Sequence, residues 1–186
     1  MFDNLRYLQD NEWAAEIPED MKHRYFHLDK PDGIDIVEER KSNHRIVQVR
    51  RIDDDKHPVY GQYGLFALVE LEPNSWILEY TGLVQFDELI DQDSDYAIHF
   101  HGPLSIDATA CGNESRAIND FRGIVSKPNV AFDTYRCSAT NIVKVGVFTL
   151  NNPIRPGEEL VVTYGRDFWS QRGIHSDEPD WDPSWD

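Results

Sequence analysis

The chain has 186 residues, a formal net charge of −16, 40% apolar residues and 12% aromatics. That length and apolar content suit one domain with short appendages and exclude a wholly disordered chain, and no apolar run approaches the roughly 18 residues of a membrane span. So acidic a surface disfavours direct nucleic-acid binding and favours a basic partner, and two cysteines, Cys111 and Cys137, are too few for a disulfide framework or a four-cysteine zinc site.

The opening MFDNLRYLQDNEW lacks a basic start followed by an apolar stretch. No secretory signal is expected, and an intracellular, reducing compartment, nuclear or cytoplasmic, fits best. Residues 1–43 are polar and mixed. Leu5, Leu8 and Trp13 sit at loosely helical spacing, which predicts one or two short helices, with Tyr25 and Phe26 as further anchors. From His44 the texture changes to short β-rich runs: HRIVQVRRI, GLFALVEL, SWILEYTG, DYAIHF, LSIDA, PNVAFDTYR, NIVKVGVFTL and ELVVTYG. Turn signals such as Glu72-Pro73-Asn74, Gly102-Pro103 and Pro156-Gly157 separate them, so residues 44–170 read as a mostly β domain. Gly112–Val125 breaks the pattern, being rich in Gly, Asn, Ser and Arg, as a functional loop would be. Residues 171–186 form a tail ending SDEPDWDPSWD, acidic and Trp-containing, which is expected to be flexible.

Four segments stand out in order. They are Gly61-Gln62-Tyr63-Gly64-Leu65-Phe66-Ala67; Glu79-Tyr80-Thr81-Gly82; Ile106-Asp107-Ala108, followed by Gly112-Asn113, Arg116-Ala117-Ile118-Asn119-Asp120 and Pro128-Asn129; and Pro156-Gly157-Glu158-Glu159-Leu160-Val161-Val162-Thr163-Tyr164-Gly165. Each is commonplace alone. As an ordered set they resemble the signature of SET-domain protein-lysine methyltransferases, over residues 44–170. The resemblance implies several small sheets with a knot-like threaded C-terminal segment, in which the Asn119 and Tyr164 stretches lie together. It also implies S-adenosyl-L-methionine as cofactor and methyl transfer to a lysine of a basic protein, a histone tail being the favoured substrate.

The chemistry explains the residue types. A cofactor bearing a sulfonium, an amine, a carboxylate and an adenine needs close backbone approach, which glycine permits, and groups that both donate and accept hydrogen bonds. By resemblance Gly64, Phe66, Arg116, Asn119 and Asp120 take the cofactor, with Trp169 or Phe168 on the adenine. Tyr164 takes the catalytic place, its hydroxyl contacting the transferring methyl through CH···O interactions, and Tyr80 walls the slot that holds a neutral lysine. Phe132 and Val162 line that slot, and lacking hydroxyls they predict at least dimethylation. Three departures from the family pattern are visible. Gln62 stands at the first glycine of the usual G-x-G, Asp120 replaces a histidine, and no C-x-C follows Tyr164. The two retained alternatives are a catalytically silent module binding a basic peptide by strand addition, favoured by Gln62 and Asp120, and an enzyme acting on a non-histone cytosolic protein. His99 and His101 alternate on a strand, but without a third ligand no metal is expected.

Overall fold

The computed structural model describes residues 5–26, 35–39, 46–91 and 93–173. The side chains of Tyr25 and Phe26, and the tail from residue 174, lie outside the described residues. In chain order the strands are β1 (Arg6–Tyr7), β2 (Glu12–Trp13), β3 (Asp35–Val37), β4 (Val47–Arg51), β5 (Tyr63–Ala67), β6 (Trp76–Glu79), β7 (Leu83–Phe86), β8 (Ala97–His101), β9 (Leu104–Asp107), β10 (Cys111–Gly112), β11 (Asn119–Asp120), β12 (Val130–Cys137), β13 (Val143–Thr149) and β14 (Glu159–Val162). Among the described residues two α-helices, α1 (Glu19–Phe26) and α2 (Arg166–Gln171), accompany them, with short 3₁₀ turns at Asp87–Leu89 and Glu114–Ala117. The chain is mostly β, in several small sheets, as the alternating runs separated by turns require.

The contacts divide the chain into two units, interleaved along the sequence: residues 1–44, 76–116 and 132–147, and residues 45–75, 117–131 and 148–186. The first unit holds the sheet β2-β7-β9-β8, the pair β1-β10 and most of the sheet β3-β12-β13-β6. Val84, Leu104, Ile106 and Val145 form its core with Tyr80 and Phe100. Strand β13 is buried at almost every position, with Val143, Val145 and Val147 in the core and Lys144 as its one charged residue. Gly82, which ends the Glu-Tyr-Thr-Gly segment, allows β7 to start against β9: a Cβ there would lie 2.5 Å from the Asp107 carbonyl oxygen. The N-terminal stretch contains helix α1 and also three short strands. Parallel pairing sets Arg6 opposite Cys111, Glu12 opposite Leu83 and Asp35 opposite Tyr135.

The polar centre of this unit is Lys144, buried in β13. Its ammonium lies 2.7 Å from Glu79, 3.0 Å from Asp10 and 3.0 Å from Glu39. Tyr135 donates to Glu39 at 2.6 Å, and Asn11 donates to Glu79 at 3.2 Å while accepting from the Gly82 N–H at 2.8 Å. The N-terminal segment is therefore pinned to the strand that precedes Tyr80. Desolvation pulls the Lys144 ammonium towards neutrality, but Glu79, Asp10 and Glu39 together outweigh it and hold its pKa above the ordinary lysine range. Burial pushes the Glu79 carboxyl up from 4.5 to about 7, Lys144 offsetting only part of that cost.

A carboxyl whose pKa is raised on folding binds its proton more tightly in the native state. Its contribution to stability is therefore greatest below about 4.5, falls as pH rises towards about 7, and is constant above. Replacing Glu79 by Gln removes this titration. Urea denaturation across that pH window should show the wild type losing on the order of 3 kcal/mol that Glu79→Gln does not lose. Parallel pH profiles for the two proteins would rule Glu79 out as the titrating group.

Candidate functional site

The second unit carries the sheet β11-β14-β5-β4. Strand β14 is its axis. On one side it runs antiparallel to β5, with Glu159 opposite Phe66 and Leu160 opposite Leu65. On the other it runs parallel to β11, with Asn119 opposite Val161 and Asp120 opposite Val162. The Asn119 and Tyr164 stretches thus lie together as adjacent strands. Asn129, of the Pro-Asn pair, clips the same backbone: it donates to the Glu159 carbonyl and accepts from the Val161 N–H, both at 2.8 Å.

Around Gly64 the side chains form a connected polar group. Asn119 Nδ2 donates to the Tyr63 carbonyl at 3.1 Å and to Glu159 Oε1 at 2.8 Å. Both partners are acceptors, so the amide nitrogen must face them, and Asn119 Oδ1 is left as an acceptor. The other Glu159 oxygen lies 2.9 Å from His57 Nε2. His57 Nδ1 accepts from the Val59 N–H at 3.3 Å, which puts the imidazole proton on Nε2 and makes it the donor to Glu159. A Cβ at Gly64 would lie 2.5 Å from Glu159 Oε1 and 3.0 Å from Phe66 Cε2. Because Asn119 and His57 hold both Glu159 oxygens, that carboxylate cannot move aside freely. Phe66 carries the Arg50 guanidinium on its ring, 4.0 Å from the centroid.

At the end of β14 the chain turns through Gly165, at φ 83°, into α2. The Tyr164 N–H donates to Asp120 Oδ2 at 2.7 Å, and its phenol donates to the Ile118 carbonyl at 2.8 Å. Phe168 meets the Tyr164 ring edge-on at 4.7 Å, and Trp169 stacks on it at 6.3 Å with 19° between planes. Asp120, whose place the family gives to histidine, accepts from Trp169 Nε1 and is paired with Arg122 at 2.9 Å. Val162, the register partner of Asp120, is buried.

The remaining expected site residues belong to the first unit. Tyr80 is buried and its hydroxyl donates to the Tyr96 carbonyl at 2.8 Å. Phe132 packs edge-on against Tyr80 at 5.1 Å. Arg116 is buried with its guanidinium 3.8 Å above the Tyr96 ring. Asn113 donates to the Glu79 carbonyl at 2.8 Å, fixing the end of β6 just before Tyr80. Gly64, Phe66, Asn119, Asp120, Val162, Tyr164 and Trp169 therefore share one unit, and Tyr80, Arg116 and Phe132 the other. Glu159 and Asn129 sit inside the quoted motifs but carry no role in the sequence reading. His57 and Tyr96 sit outside every motif, and only the folded geometry singles them out. His99 and His101 are separated by a register shift in β8, and among the described residues no group of three His, Cys, Asp or Glu could hold a metal.

A comparison with curated proteins by sequence returned no match. Among solved structures, ctPRC2 in an autoinhibited conformation bound to S-adenosylmethionine shares the fold, with a TM-score of 0.52 and 24% sequence identity. That likeness covers 68% of this chain and 16% of the other. The family profile of the SET domain matches residues 62–165, more than half of the chain and all the strands that build the second unit's site except β4. The protein belongs to the SET-domain family.

Proposed function

We propose that the protein transfers methyl groups from S-adenosyl-L-methionine to a lysine side chain of a basic protein, a histone tail being the favoured substrate. The observation that carries this reading is the convergence on β14 of Gly64, Asn119 and Tyr164. Bound S-adenosylmethionine supplies a methyl group activated by a sulfonium. The residues present suit such a ligand. Gly64 makes room for Glu159, which holds the Asn119 amide nitrogen, and Asn119 Oδ1, that nitrogen already committed, is an acceptor suited to an ammonium. Trp169 is half-buried and keeps ring surface for an adenine. Arg116, held over Tyr96, is proposed for the same cofactor on the strength of its motif alone.

Tyr164 supports the chemical role. Its phenol proton is donated to the Ile118 carbonyl, which fixes the direction of the hydroxyl. Lone pairs, not a proton, are what a polarised methyl group needs. Tyr80 is committed in the same way to Tyr96, and with Phe132 it forms an aromatic surface proposed to wall the lysine slot. Such a wall strips water from an amine and favours the neutral, nucleophilic form. The charge of −16 supports a basic protein as substrate.

S-adenosylmethionine should raise the melting temperature, by the equivalent of about 2.7 kcal/mol at a hundredfold excess over Kd, and Gly64→Ala should abolish most of that shift. A well-folded wild type that does not respond to millimolar cofactor would sink the enzyme reading.

Tyr164→Phe should keep cofactor affinity and lose roughly 10–100-fold in kcat, since removing the hydroxyl takes away both its CH···O contact and the positioning of the transferring methyl. Labelled-methyl transfer to histones and to a whole-cell lysate gives the rate, and unchanged turnover would remove Tyr164 from the mechanism.

With Val162 and Phe132 lacking hydroxyls, mass spectrometry after exhaustive reaction should show at least dimethyl-lysine. Phe132→Tyr should shift the product towards monomethyl. A wild type that stops at monomethyl-lysine would contradict this reading of the slot.

A further inference from the structure

We propose that Asp120 is the positioning residue for Tyr164, a role that rests on the methyltransfer reading above. Tyr164 is held at both ends by one three-residue stretch. Its phenol donates to the Ile118 carbonyl at 2.8 Å and its backbone N–H to Asp120 Oδ2 at 2.7 Å. The same Asp120 oxygen accepts from the Trp169 indole N–H at 3.3 Å, so one carboxylate ties together β11, the end of β14 and α2. Between Tyr164 and Trp169 the backbone passes through Gly165 at φ 83°, where no side chain stiffens the turn. The carboxylate supplies the restraint that the turn lacks.

The residue type follows from the partners. Asp120 also accepts from the Arg122 N–H at 2.9 Å, and Arg122 Nη1 lies 3.1 Å from Oδ1 and 2.9 Å from Oδ2. Every partner is a donor, and only an ionised carboxylate is acceptor on both atoms. An amide of the same shape would turn its NH₂ against either Arg122 or the Tyr164 and Trp169 pair. A neutral imidazole offers a single acceptor. The departure from the family's histidine therefore builds a local clamp, closed by Arg122, that orients the phenol through its own backbone. Asp120 itself contacts none of the reacting atoms in this scheme.

The test is Asp120→Asn in the full chain, alone and combined with Tyr164→Phe. We expect kcat to fall by about tenfold or more, a larger change than any in the KM for S-adenosylmethionine. The Tyr164 amide and Trp169 indole proton resonances should both move upfield as their acceptor weakens. The double variant should be no slower than Tyr164→Phe, since both changes act through one group. Multiplying losses, or resonances that do not move, would overturn the proposal. If Asp120→Asn does not fold, Trp169→Phe decides. Releasing one donor from the shared oxygen should strengthen the other bond and move the Tyr164 amide downfield, and an unmoved resonance would be equally fatal. Absence of methyl transfer by the wild type would count against the proposed function alone, and the resonance shifts, which need no turnover, would still judge the clamp.

Discussion

The parallel pairing of Asn119 and Asp120 with Val161 and Val162 is the constraint on which the second unit's site depends. A strand of two residues has little stability of its own. Here its side chains supply what the ladder lacks. Asn119 reaches Tyr63 and Glu159, Asp120 reaches Tyr164 and Trp169, and the Phe121 N–H continues the ladder to the Val162 carbonyl at 2.9 Å. Three sequence-distant segments become one surface because two polar residues are bonded in opposite directions. Losing either would leave buried donors or acceptors without partners, which costs more than the bond itself contributes.

Both units follow the same economy, with a polar group satisfied several times over at the point where strands must meet. In the first unit Lys144 gathers carboxylates from the N-terminal segment, from the residues after β3 and from β6. In the second, Glu159 is bracketed by His57 and Asn119 beside Gly64. Buried ionic groups are weak sources of net stability, because desolvation consumes most of the attraction. Their value lies in geometry. A slipped register would bury the same charge unpaired, so a network of this kind penalises wrong pairings more than it rewards the right one.

Much of the β architecture was legible because the strands that build it are long enough to carry a pattern. ELVVTYG contains β14, SWILEYTG contains β6, and NIVKVGVFTL contains the buried β13. The two-residue strands β1, β2 and β11 hold too few residues for any period to register, and their partners lie far away in sequence. Parallel pairing is set by tertiary contact, not by local preference. The ordered motifs brought Asn119, Tyr80 and Tyr164 to attention, but motif spacing says nothing about what a side chain bonds. That Asp120 spends both oxygens on protein donors, or that His57 supports Glu159, needed the fold, since neither residue type has a preferred partner that sequence distance could reveal.

The interleaving of the two units has a consequence for how the chain is made. Strand β5 obtains one neighbour at once, by pairing back on β4. Its other neighbour, β14, is roughly 90 residues further on, and at about 5–20 residues per second a ribosome takes roughly 5–20 s to deliver it. During that interval Leu65 and Ala67, wholly buried at the end, belong to a hairpin with an open edge. Strand β7 waits less long for β9, but β1 waits about as long for β10. Neither unit can finish before most of these residues have been made, so the nascent chain presents apolar strand edges to its surroundings for seconds, the condition under which unpaired edges invite misassociation.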